Sequence, residues 1–200
     1  MRRRKFIAGA ASAAAWPLAA RGQQAALPII GYLNGGSSEI ERAFGTLGTF
    51  RQGLSEQGYF EGRNVEISYQ WAAMQFDRLP ELAANLVRRR VSVIVATGGG
   101  TPVALAAKSA TAMIPIVFAV GTDPVGVGLV ASLNRPGGNV TGVTFLAQSL
   151  TAKRLELLHE VAPAATSIAF LVDPINYQPG AQIKDAQDAA DALGRALGDF

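Results

Sequence analysis

The chain has 200 residues, 18 lysines and arginines against 15 acids, a net charge of +3, one histidine and no cysteine. With no cysteine and only His159, a Cys/His metal site, a cysteine nucleophile and a disulfide scaffold are excluded, and no metal or other cofactor is expected. Residues 1–22 hold five bases and no acid, so the remainder carries −2, which leaves no basic face for nucleic acid.

The amino terminus, MRRRKFIAGAASAAAWPLAARG, sets three arginines and a lysine before an Ala-rich apolar stretch from Phe6 to about Ala20. That order is an export signal, and its apolar part is too short to span a bilayer. Arg3, Arg4, Phe6 and Ile7 fit the twin-arginine pattern. Residues 1–22 are expected to be a cleaved signal, and the rest a soluble, periplasmic monomer.

PIIGYLN (28–34) reads as a buried strand ending in the turn GGSS. Ile40, Phe44, Leu47, Phe50 and Leu54 then recur at helical spacing, predicting one amphipathic helix over 40–58. Val65, Ile67, Tyr69 and Trp71 alternate onto one face of a strand, and residues 77–90 predict a helix capped by Asp77. VSVIVA is a strand, TPVALAAKSA a helix with Pro102 in its first turn, and IPIVFAV another strand before the loop GTDPVGVG. NVTGVTF (139–145) is the fifth strand. Strands alternating with helices predict an α/β fold with a parallel sheet between helices, and VSVIVA and PIVFAV read as strands buried on both faces. This first lobe spans 28–145. Over 146–200 the rhythm restarts with a helix ended by Pro163, the strand SIAFLVD and a helix over GAQIKDAQDAADALGRAL, an incomplete second lobe with one strong strand.

FRQGLSEQGYFEGRNVEISYQWA, FDRLPELAANLVRRRVSVIVATGG, IPIVFAVGTDPVGVGLVASLNRPGGNVTGVTF and KRLELLHEVAP together resemble the ABC-transporter substrate-binding proteins of the tryptophan/tyrosine-binding type. SLNRPGGNVTGV is the most specific stretch, and the likeness runs from about Pro28 to Leu197. The resemblance implies the type I periplasmic-binding-protein fold, two lobes that close on a small organic solute such as an amino acid, and delivery to a membrane permease with its ATPase. It implies no catalysis. It also implies a chain longer than this one, whose far cleft wall is only partly present here.

In an open parallel sheet, ligands bind outside the carboxyl ends of the strands. Three loops qualify. In NGGSS, Asn34 and Ser37 offer hydrogen-bonding side chains, with Ser37 or Ser38 equally suited to cap the next helix. In ATGGGT, Thr97, Gly98, Gly99 and Thr101 stand at a helix start whose free amides favour an anion, while Thr101 suits a capping role as well. There is no Gly-Lys-Ser/Thr and no G-x-G-x-x-G, so a nucleotide-dependent enzyme using loop 97–101 is the weaker alternative. In GTDPVG, Thr122 and Asp123 end a strand; Asp123 either caps the turn or receives a ligand ammonium. Phe145 and Tyr177, near the lobe crossing, suit an aromatic wall, and Asp173 is the second lobe's counterpart of Asp123. Neither a G-x-S-x-G elbow nor any other catalytic constellation is present, and an export signal stands where a sensor's DNA-binding headpiece would.

Overall fold

The computed structural model describes residues 27–44, 46–145, 150–172 and 179–198; the export signal, Asp173 and Tyr177 lie outside them. Five strands, β1 (Ile29–Asn34), β2 (Glu66–Trp71), β3 (Val93–Thr97), β4 (Ile116–Val120) and β5 (Val140–Thr144), form a parallel sheet in the order β2-β1-β3-β4-β5. The chain winds outward from β1 to β2, then crosses back to β3 and continues the other way. The reversal falls between β1 and β3, the kind of switch point at whose strand ends open α/β sheets bind ligands.

The helices of this part are α1 (Ser38–Phe44), α2 (Thr46–Glu56), α3 (Leu79–Arg88) and α4 (Thr101–Ala110). On one face, Leu82 and Leu86 of α3 and Val103, Ala104 and Ala107 of α4 pack against Leu33, Ile94, Ile116 and Phe118. On the other, Leu47, Phe50 and Leu54 of α2 cover Ile30, Tyr32, Ile67, Tyr69 and Trp71. Val65, Ile67, Tyr69 and Trp71 do share a face, as their alternation predicts.

Three local expectations are corrected. The segment 40–58 is two helices, and Ile40, in the first of them, is exposed. Asp77 does not cap α3: a 3₁₀ turn, Phe76–Arg78, feeds the helix, Arg78 holds the N-cap position and no side chain bonds there. PIVFAV is not buried on both faces. Ile116, Phe118 and Val120 are buried, but Val117 is 40% exposed, and Val143 of β5, opposite Ala119, is 59% exposed. α2 reaches only across β1, β2 and part of β3, and no described helix covers the rest of that face.

The second part holds α5 (Thr151–Val161), β6 (Ser167–Ala169), α6 (Pro179–Ala192) and β7 (Ala196–Gly198), with β6 and β7 paired in parallel as a separate sheet. The sequence reading carried the last helix through to Leu197, and this too is corrected. Gly194, at φ +64°, ends α6: its N–H donates to Asp191 O and the Arg195 N–H to Ala190 O, both at 3.0 Å. This pair of bonds is a Schellman cap, which requires the left-handed conformation that glycine adopts at least cost. Gly194→Ala is expected to lower stability by about 1 kcal/mol, read as a shift in the denaturation midpoint at constant slope.

Candidate functional site

β1 and β3 lie side by side with Asn34 opposite Thr97, so their loops emerge together. Asn34 is fully buried. Its Oδ1 accepts the Gly36 N–H at 2.7 Å, and its Nδ2 donates to Glu41 Oε1 at 2.5 Å, Glu41 being only 5% exposed. Glu41 Oε2 and the Tyr32 hydroxyl are buried beside this pair without hydrogen-bond partners among the described residues. Burial first, and the charge of Glu41 second, push the Tyr32 phenol up to about 12. Ser37 caps α1, its Oγ accepting the Ile40 N–H at 3.3 Å.

Loop 97–101 packs directly onto loop 34–38. The Gly36 N–H donates to Gly98 O at 3.0 Å, and a Cβ placed on Gly35 would stand 2.7 Å from Gly98 O and 2.9 Å from Gly99 Cα. Gly98 sits at φ +61° with the Asn34 amide against it, leaving no room for a side chain. Gly98 and Gly99 thus have a packing reason that owes nothing to a phosphate. Gly100 is the N-cap residue of α4, and no side chain bonds to the free amides there. Thr101 is not that cap. It is the first helical residue, and its hydroxyl lies 2.7 Å from the hydroxyl of Thr122, with both residues buried. Thr122 O in turn accepts the Thr144 hydroxyl at 2.7 Å, which ties the end of β5 to the same cluster. Asp123 turns both carboxylate oxygens to its own loop, accepting the N–H groups of Val125 at 3.0 Å and Gly126 at 3.1 Å.

A cavity of about 480 Å³ opens where these strand ends face the second sheet. Gly100, Thr101, Gly121 and Thr122 form one wall. Thr151, Arg154, Leu155 and Leu158 of α5 form the opposite wall, joined by Ile168, Phe170 and Gln182. Its size suits a small organic molecule. Of the residues singled out in the sequence, Thr101 and Thr122 line it. Asn34, Ser37, Thr97, Gly98, Gly99 and Asp123 are not among its lining residues. Phe145 follows β5 and is 69% exposed, outside the lining.

Arg154, Gln182 and the leucines of α5 were missed. Their signal was present: 151, 154, 155 and 158 follow the i, i+3, i+4, i+7 spacing of one helix face, and that stripe carries an arginine among leucines.

Residues 43–194 match the model of the ABC transporter substrate binding protein family. A tyrosine-binding protein of Clostridioides difficile (strain R20291) is 34% identical over 142 residues, which cover 70% of this chain and 40% of that one. Two crystal structures are similar throughout. A conserved domain protein from Vibrio cholerae has a TM-score of 0.75 and 32% identity, covering 86% of this chain and 56% of its own. An ABC domain in complex with L-Trp from Streptococcus pneumonia has a TM-score of 0.72 and 26% identity, covering 88% of this chain and 57% of its own. The chain therefore spans 40% of the curated relative and little more than half of these structures.

Proposed function

Since the chain belongs to the ABC transporter substrate-binding protein family, we propose that it holds a small organic solute bearing a carboxylate in the cavity between its two sheets. The observation that carries the reading is the convergence of the open amino end of α4, the Thr101–Thr122 hydroxyl pair and the Arg154 guanidinium on one cavity. A helix amino end offers free amides and partial positive charge, a guanidinium binds a carboxylate in bidentate fashion, and hydroxyls add donors. These groups bind and orient; no catalytic step is proposed for them.

In this reading residues 28–145 are one lobe and 146–200 the start of the other. Thr101 and Thr122 touch the solute, with the backbone N–H groups at Gly100, while Thr97, Gly98 and Gly99 shape the loop that presents them. Asn34, Ser37 and Asp123 hold the loops in shape, while Phe145 and Asp173 stand at the crossing and on the second lobe. The solute passes to a membrane permease and its ATPase, and residues 1–22 direct export to the periplasm. No helix among the described residues is long and apolar enough to cross a membrane.

A thermal-shift screen against amino acids, other carboxylates, sugars and nucleotides tests the function. Carboxylates are expected to stabilise the chain by about 2.7 kcal/mol at a hundredfold excess over Kd. Stabilisation by NAD or ATP alone overturns the reading.

A further inference from the structure

The net charge of −2 over residues 23–200 conceals how the charges are placed. All five strands of the first sheet run parallel, so the segments that lead into them meet at one end. Backbone bonds join these segments side by side. The Glu66 N–H donates to Pro28 O at 3.0 Å, the Ser92 N–H to Ile29 O at 2.7 Å and the Ile94 N–H to Pro115 O at 2.8 Å. This amino-end pole lies a strand's length, about 17–20 Å, from the strand ends whose loops line the cavity.

Four exposed arginines gather there: Arg63 in the turn before β2, and Arg88, Arg89 and Arg90 between α3 and β3. Over 57–66, 88–92 and 111–115 the acids are Glu61 and Glu66, and each is taken, by Arg51 at 3.0 Å and by Arg89 at 2.8 Å. Glu56, at the end of α2, accepts from the Gln52 amide at 2.9 Å. Arg63, Arg88 and Arg90 make no ion pair among the described residues. Residues 1–26 continue the chain from Leu27 and contain no acid, so they add to this charge and do not cancel it.

Apolar side chains stand among the arginines. Tyr59 is 49% exposed, Phe60 40%, Leu27 39% and Met113 86%. The turns that carry them are braced: Asn64 Oδ1 accepts the Phe60 N–H at 2.7 Å, and Asn139 Nδ2 donates to Ile114 O, beside Met113, at 2.6 Å. The Arg63 guanidinium lies 5.0 Å from the centre of the Phe60 ring. From the turn before β2 to Met113 before β4 is three strand spacings, about 14 Å. Guanidinium groups interleaved with aromatic and aliphatic side chains match an anionic lipid surface. Its phosphates take the charges, while Tyr, Phe and Met side chains enter the boundary below the headgroups.

We propose that this pole rests on anionic membrane lipid, with the cavity at the other end of the sheet turned to solution. The proposal goes beyond the carboxylate-binding reading and needs no solute.

Co-sedimentation with vesicles tests it, comparing phosphatidylcholine alone with a two-to-one mixture of phosphatidylcholine and phosphatidylglycerol. Every form of the full chain carries glutamine at residues 2–5, so that those charges do not contribute. The mixed vesicles are expected to bind about tenfold more strongly or better, and the binding to fall as salt is raised. Arg63→Gln, Arg88→Gln and Arg90→Gln together are expected to lower it about tenfold or more. All three side chains are exposed, so the melting temperature barely moves, and the corresponding triple lysine variant keeps its binding. Equal binding to both vesicles, or undiminished binding by the triple glutamine variant, overturns the proposal. Absence of binding to the mixed vesicles overturns it as well, and retention on a DNA oligonucleotide in its place would make the pole a nucleic-acid face.

Discussion

Arg154→Ala is expected to weaken binding of a carboxylate solute about tenfold or more, while the melting temperature of the ligand-free chain barely moves. The two halves of that expectation have different origins. Arg154 is exposed and makes no ion pair among the described residues, so its removal takes little from the fold. A charge-assisted hydrogen bond contributes about 1.5–3 kcal/mol, and an open cavity screened by water places Arg154 near the lower figure, which corresponds to roughly tenfold in Kd. Arg154→Lys keeps the charge and loses the paired geometry, so its Kd is expected to fall between the two. Calorimetry on the three proteins with one carboxylate checks this. An unchanged Kd for Arg154→Ala removes the residue from the site.

Asn34→Ala is expected to act the opposite way, costing about 2–4 kcal/mol of stability by chemical denaturation. Asn34 is fully buried and serves two groups at once, the Gly36 N–H and the Glu41 carboxylate. Truncation strands both, and a buried carboxylate deprived of its donor is the expensive member. Adding Glu41→Gln to Asn34→Ala is expected to recover part of the loss, because a neutral amide is cheaper to leave unpaired. A loss below about 0.5 kcal/mol, within the ordinary range for a surface substitution, contradicts the supporting role assigned to Asn34. A weaker ligand affinity with stability intact would make it a contact instead.

The layout of the first sheet was legible because its strands are dense apolar runs separated by glycine-rich turns. VSVIVA and IPIVFAV have no plausible helical reading at that length, and Pro102 marks the start of α4. What escaped were features decided by tertiary neighbours. Whether Val117 is buried depends on how far α2 reaches across the sheet, and nothing in the local pattern of PIVFAV records that. Gly194 did carry a local signal, but the helical run on both sides of it outweighed one residue. The site was half legible for a related reason. Strand-end loops can be identified from the order of elements, and Thr101 and Thr122, chosen that way, line the cavity. Their hydroxyl pairing across 21 positions, and the aim of Arg154 from another sheet's helix, belong to the packed molecule only.

The contact between Gly35 and Gly99 has a consequence for how a solute would be captured. With two backbones this close and a hydrogen bond beside them, loops 34–38 and 97–101 are braced as a single rigid block. A rigid surface surrenders little conformational entropy when it is occupied, so the loss of freedom on binding falls on the facing wall of α5 and its neighbours. Under the proposed function, the braced block would act as a standing template that fixes where a carboxylate goes.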